Sequence, residues 1–353
     1  MTSNRIDGRS ADAPIFAGYG DYAVGVTTRR MINPDQVDLS LPEMPRRDRA
    51  LTVEIWYPAQ AAAPTPYRTV LRDGVTPIVL HGQAARDATA LAGHFPLVIL
   101  SHGYPGDRLL MVHLGESLAS RGYLVAGIEH RDSTYADKGA FVSTLVNRPL
   151  DTRFVADQLG ASHYAIIGYS MGGYGALVAA GAGVSEMPDL PYGQAHLPRD
   201  PVVDPRLKAI IPIGPWGGKH GVWAATALAR AKVPALILAG SADHVSGYAD
   251  GMRFIFDHYG APVHLLTFDG AGHNAAAPYP APEQAFSISP HLDFLPAEHY
   301  ADPVWDSVRM NGIAQHFAHV FLAQHLRGAD MSAYLNADLA GFTARQGLRL
   351  EQR

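Results

Sequence analysis

Apolar positions along this chain gather into short runs, at 22–28, 51–57, 97–100, 123–128, 164–167, 209–213, 235–239 and 263–268, each of strand length. From 164 onward the runs are almost unbroken aliphatic stretches, the pattern of strands covered on both faces. Between them lie segments of helical spacing at 111–121, 149–159, 173–181 and 248–259, and 304–328 reads as a closing helix. Strand and helix alternate, which predicts a mostly parallel sheet joined by right-handed crossovers and flanked by helices on both faces. The first two runs have no helix between them and read as an antiparallel hairpin at one edge. No internal repeat or linker interrupts the pattern, so residues 1–353 are expected to form one α/β domain.

Two stretches break the alternation. One, 183–206, carries Pro188, Pro191, Pro198, Pro201 and Pro205; the other, 274–303, carries six further prolines with Tyr279, Phe286, Phe294 and Tyr300. Long irregular excursions inside a compact domain tend to be functional, and both are read here as lid-like walls over a site.

Composition narrows the chemistry by exclusion. Of 353 residues 47% are hydrophobic and 17% charged, with a net charge of -5 and no run of lysine or arginine. A surface built for nucleic acid or an anionic membrane is not expected, and a small or uncharged substrate fits better. With no cysteine, disulfides, thiolate nucleophiles and cysteine-held zinc are excluded. The first twenty residues contain no apolar stretch of leader type, so the chain is expected to be cytoplasmic, and no run reaches the roughly 18–20 apolar residues of a membrane-spanning helix. His316, His319 and His325 sit at helical spacing, but no carboxylate joins them at motif spacing; they are read as a solvated helix face, and no metal or cofactor is expected.

The sharpest local signal is Gly168-Tyr169-Ser170-Met171-Gly172, a Gly-x-Ser-x-Gly run between the strand 164–167 and the helix 173–181. That context is the nucleophile elbow of α/β-hydrolases, where the serine occupies a strained strand-to-helix turn and flanking side chains would collide with backbone. A serine hydroxyl needs a base, and the base needs an acid to hold its tautomer. In this fold they follow the serine in the order acid, then histidine. Asp243 follows the strand 235–239 and His273 follows the strand 263–268, so both lie at the sheet edge where Ser170 lies, the edge at which open α/β sheets place ligands. Asp204, Asp250 and Asp269 compete as acids, and His244, His258 and His264 as bases; each lies in a helix, a strand or an unsuitable turn.

An oxyanion hole needs two backbone N–H donors. Met171, directly after the nucleophile, supplies one, and the loop Ser101-His102-Gly103-Tyr104-Pro105-Gly106 places Tyr104 at the second. Pro105 has no N–H and cannot serve; His102 is read as holding the loop by hydrogen bonding. An earlier pair, His81-Gly82, is similar but has no elbow to match. Trp216, after the strand 209–213, is expected to face a substrate, while Tyr169 either lines the acyl pocket or packs beneath it, and Trp223 reads as core.

Phe95-Pro96-Leu97-Val98 running into Ser101-His102-Gly103, then Leu118-Ala119-Ser120-Arg121-Gly122-Tyr123, and Glu129-His130-Arg131-Asp132 after a strand, together resemble the platelet-activating-factor acetylhydrolases over about residues 53–273. The resemblance implies a serine esterase acting without calcium or cofactor on short or oxidised acyl groups. The elbow differs, with Tyr and Met where the animal enzymes have His and Phe. Bacterial chains of this kind are also named dienelactone-hydrolase-like, though those enzymes use a cysteine that is missing here. The set Tyr104, Met171, Pro215 and Trp216 is similar to bacterial cutinases and polyester hydrolases. The expectation is therefore a serine carboxylesterase for a short-chain or moderately apolar ester, with an amidase or peptidase, a polyester hydrolase, or a catalytically silent binding protein as alternatives. Oligomeric state is left open.

Overall fold

The computed structural model describes residues 4–343 and 347–353. Its main sheet has ten strands, built from β1 (Ala23–Val37), β2 (Arg46–Ala59), β5 (Ala85–Arg86), β6 (Leu97–Ser101), β7 (Leu124–Glu129), β8 (Tyr164–Tyr169), β9 (Leu207–Ile213), β10 (Ala235–Gly240), β11 (Val263–Phe268) and β12 (Leu348–Gln352). A separate hairpin pairs β3 (Tyr67–Val70) with β4 (Pro77–Leu80). The spatial order is β12-β11-β10-β9-β8-β6-β7-β2-β1-β5. The six strands from β7 to β11 in that row run parallel, while β2 joins β7 antiparallel and β12 joins β11 antiparallel. β1 and β2 form the antiparallel pair that the first two apolar runs predict.

Alternation within the central strands separates two apolar layers. Val98, Leu100, Ile167, Ile211 and Leu238 face helices α1 (Val112–Ala119) and α6 (Ser307–Arg327). Leu97, Ile99, Ile166, Ile210 and Ile237 face α2 (Phe141–Gln158) and α3 (Met171–Ala179). Two short helices, α4 (Ala225–Leu228) and α5 (Phe254–His258), complete the second layer. All of these strands are buried on both faces, which is why their sequences alternate so little.

Several elements depart from the sequence reading, each for a physical reason. The helix expected to start at residue 149 starts at Phe141, with Pro149 inside it. Proline at that place removes the N–H that would bond the Leu145 carbonyl, and the Tyr174 hydroxyl donates to that carbonyl instead at 3.0 Å. The segment 248–259 opens as a π-type turn before α5. The histidines of the closing helix do not form a solvated face: His316 is buried, accepts the Phe16 amide on Nδ1 and packs against Phe16 and Phe342. Amphipathic spacing marks a face but not what covers it, and here residues around Phe16 and Phe342 cover it. Among the described residues no group of histidine, aspartate and glutamate side chains is disposed to hold a metal, and no helix is long and apolar enough to cross a membrane.

The two irregular segments part company. Residues 274–303 supply Asn274, Phe294, Ala297, Glu298 and His299, among others, to a cavity over the carboxyl ends of the strands. No residue of 183–206 lines it. That segment packs on the outside of the second layer, where Val184 and Leu197 are buried and the Tyr192 hydroxyl donates to the Leu39 carbonyl at 3.1 Å.

Candidate active site

β8 ends in a tight turn into α3. Ser170 has φ 52° and ψ -110°, left-handed backbone for a residue with a side chain. A Cβ on Gly168 would run into the Gly172 carbonyl, and one on Gly172 would run into the carbonyl of Ser101. Strand and helix can approach this closely only with both glycines in place. Ser170 N–H donates to Ile213 O at 2.8 Å, and its carbonyl accepts from Tyr174 at 3.0 Å and Trp216 at 3.0 Å, so the strained turn is held from three sides.

The structure brings together the three side chains singled out from chain order. Ser170 Oγ lies 3.0 Å from His273 Nε2, and His273 Nδ1 lies 2.8 Å from Asp243 Oδ2. Asp243 is buried at the end of β10; burial pushes its carboxyl up, but the His273 bond and the amides of Ser246 (2.9 Å) and Val245 (2.8 Å) hold it below the usual carboxylate range. It is therefore ionised, which fixes the imidazole proton on Nδ1 and leaves Nε2 free to accept from Ser170. The loop carrying His273 is tied down one residue earlier, where Gly272 N–H donates to Asp302 Oδ2 at 2.6 Å. Three of the competing residues are engaged elsewhere: Asp269 with Arg349, Asp204 with Arg206, and His258 with the Phe254 carbonyl.

Tyr104 and Met171 both line the cavity, and among the described residues neither backbone N–H has a hydrogen-bond acceptor. Met171 is the first residue of α3, so its free N–H also stands at the positive end of a helix. The Gly103–Tyr104 peptide is gripped from behind: its carbonyl accepts from Arg148 Nη2 at 2.8 Å and from His102 Nδ1 at 2.8 Å. In a trans peptide the N–H points away from the carbonyl, so this grip aims the Tyr104 N–H outward. Arg148 also bonds the carbonyl of His102 and the hydroxyls of Ser101 and Ser133. It is wholly buried, and burial pushes it down to about 9. His102 holds the loop as expected, since its Nε2 accepts the His130 amide at 3.1 Å.

The cavity has a volume of about 830 Å³ and takes Tyr104, Phe141, Tyr169, Trp216 and Arg72 into its walls. Trp216 stacks on His220 and meets the edge of Phe141. Tyr169 lines the cavity: its ring lies 5.2 Å from the His273 ring, and its hydroxyl donates to Asn274 Oδ1 at 3.0 Å. Trp223 is core. Arg72 and Arg148 escaped the sequence reading. For Arg72 a signal existed: Asp73-Gly74 between two short apolar runs is a hairpin mark. For Arg148 there was none, because the carbonyls it grips lie some 45 positions away.

The architecture is the α/β-hydrolase fold. A ferulic acid esterase from Streptomyces cinnamoneus superposes with a TM-score of 0.66 over 99% of both chains, at 19% identity. The family model for platelet-activating factor acetylhydrolase, isoform II, matches residues 74–138. Cutinase 1 of Thermobifida cellulosilytica and a cutinase of Thermobifida fusca are each 28% identical over 186 residues, half of this chain. The matched stretch spans 60% and 52% of those cutinases. The chain thus resembles esterases of the cutinase and acetylhydrolase kinds, within the fold that its residue pattern predicts.

Proposed function

We propose that this chain is a serine carboxylesterase working through an acyl-enzyme. Ser170 Oγ attacks the ester carbonyl while His273 Nε2 takes its proton, and Asp243 stabilises the imidazolium. The amides of Tyr104 and Met171 receive the oxyanion; the loss of one such donor typically costs about 2.7–4 kcal/mol of transition-state stabilisation. His273 then protonates the departing alkoxide, and water attacks the acyl group by the same steps in reverse roles. The observation that carries this reading is the unbroken chain Ser170–His273–Asp243, with bonds of 3.0 and 2.8 Å, opening on a cavity beside two acceptor-free N–H groups.

Cutinase relatives favour a second reading, a polyester substrate at the same site. The wall formed by 274–303 favours a discrete ester, because a long polymer needs an open groove. Ser170→Ala is expected to abolish hydrolysis of p-nitrophenyl acetate and butyrate and to end labelling by a fluorophosphonate probe, with an unchanged circular dichroism spectrum. Retained turnover would refute the assignment.

A further inference from the structure

Arg72 sits in the loop of the β3–β4 hairpin, half-buried, with its side chain in the wall of the cavity that holds Ser170 and His273. It is the one arginine or lysine among the described lining residues, and it has no ion pair there. Its Nη1 is buried without a hydrogen-bond acceptor, and what faces the guanidinium is the ring of Tyr135, 5.8 Å away. The two acids of the cavity are occupied elsewhere: Asp302 accepts the amides of Gly272, Val304 and Trp305, and Glu298 accepts that of Leu295. His299 is no rival cation, since burial holds it well below the usual imidazole range and its Nε2 lies against the Tyr135 hydroxyl.

A half-buried guanidinium with a sealed Nη1 and no carboxylate beside it is left under-paired, and an aromatic face offsets only part of that cost. Such a group persists where its partner arrives from outside. The hairpin also holds Arg72 in place before anything binds. Asp73 accepts the amides of Val75 and Thr76, the Thr76 hydroxyl at 2.6 Å and, from the 274–303 wall, the Ser289 hydroxyl at 2.8 Å. Nη1 is closed off, but among the described residues Nε and Nη2 have no hydrogen-bond partner and are not sealed, and that edge of the planar fork matches a carboxylate.

We propose that Arg72 is a carboxylate-binding point in the substrate cavity, and that the substrate class is an ester carrying a free carboxylate, such as the half-ester of a dicarboxylic acid. The inference rests on the esterase reading for its substrate and narrows it: the substrate is small but anionic, where composition alone favoured an uncharged one.

Two measurements separate this inference from the reading beneath it. By calorimetry, full-length Ser170→Ala should bind monomethyl glutarate at least about tenfold more tightly than dimethyl glutarate, and adding Arg72→Gln should erase the difference. In the wild-type background, Arg72→Gln should raise KM for mono-p-nitrophenyl glutarate about tenfold or more, leave its kcat and the KM for p-nitrophenyl butyrate near wild type, and Arg72→Lys should recover part of the loss. Equal binding of mono- and diester, or equal damage to both p-nitrophenyl substrates in folded Arg72→Gln and Arg72→Lys, overturns the proposal and leaves the esterase standing. Selective binding without turnover of any ester overturns the esterase and keeps the carboxylate site.

Discussion

Among the described residues stand two Ser–His–Asp chains of almost the same dimensions. Ser170, His273 and Asp243 are linked by contacts of 3.0 and 2.8 Å; Ser101, His130 and Asp151 are linked by contacts of 2.9 and 2.9 Å. The second is sealed, each member being 1% exposed, and no member lines the cavity. Its serine accepts from Arg148 at 3.2 Å, and its aspartate is held by two bonds from Arg49, which also bridges to Asp132. Ser170 instead borders the cavity and the free amides of Tyr104 and Met171. Hydrogen-bond distances alone do not make a hydrolytic site; access and unsatisfied donors at the place where charge develops do. The buried chain sits beneath the 101–106 loop and stiffens it, which gives the Glu129-His130-Arg131-Asp132 run a structural part.

The comparison breaks most sharply at the two aspartates. Asp243→Asn is expected to lower kcat by about 10⁴ with the urea midpoint nearly unchanged, because the imidazole tautomer is lost. Asp151→Asn leaves Arg49 and His130 under-paired in the interior and should cost about 3–5 kcal/mol of stability by urea unfolding. If Asp151→Asn unfolds like wild type yet loses all turnover, the roles assigned to the two chains are wrong.

A pH series sharpens the contrast next. Burial, aided by the charge of Arg148, pushes His130 down to about 4. The unfolded chain binds that proton near its ordinary value, so the contribution is intact above roughly pH 6.5 and disappears as pH falls through about 4. His130→Gln should remove roughly 2–3 kcal/mol of the stability lost across that window, read from urea midpoints. Acid loss from His113 and His316, both pushed by burial to about 3, should persist in the variant. A variant with the full wild-type slope would show His130 titrating normally. The smallest effect belongs to Ser101→Ala, which leaves His130 Nε2 without its donor: about 1–2 kcal/mol less stable, with fluorophosphonate labelling of Ser170 retained.

Much of this was legible in the residues, for reasons that are local. Ile166 and Ile167 before Gly168, or Leu236 to Leu238 before Gly240, mark buried parallel strands because both faces of such strands are covered. Ser170, Asp243 and His273 each follow such a run, and in a parallel sheet all strand ends of one sense meet at one edge. The placing of 183–206 could not be read from its prolines. It follows α3, whose nine residues carry the chain about 13 Å away from Ser170, whereas 274–303 begins one residue after His273 and must start over the site. The edge strand β12 and the hairpin β3–β4 are short and mixed in polarity, so neither shows a strong period.

By itself the amino-acid order determined the alternation of strand and helix, the glycine-flanked serine and the chain order of acid and base, since each depends on neighbours a few positions apart. Only the tertiary structure decided which Ser–His–Asp chain opens on a cavity, that Arg148 stands behind the 101–106 loop, and that Arg72 faces the cavity with no acid to meet it. Those outcomes depend on burial and on partners tens to hundreds of positions apart, which a pattern along the chain does not carry.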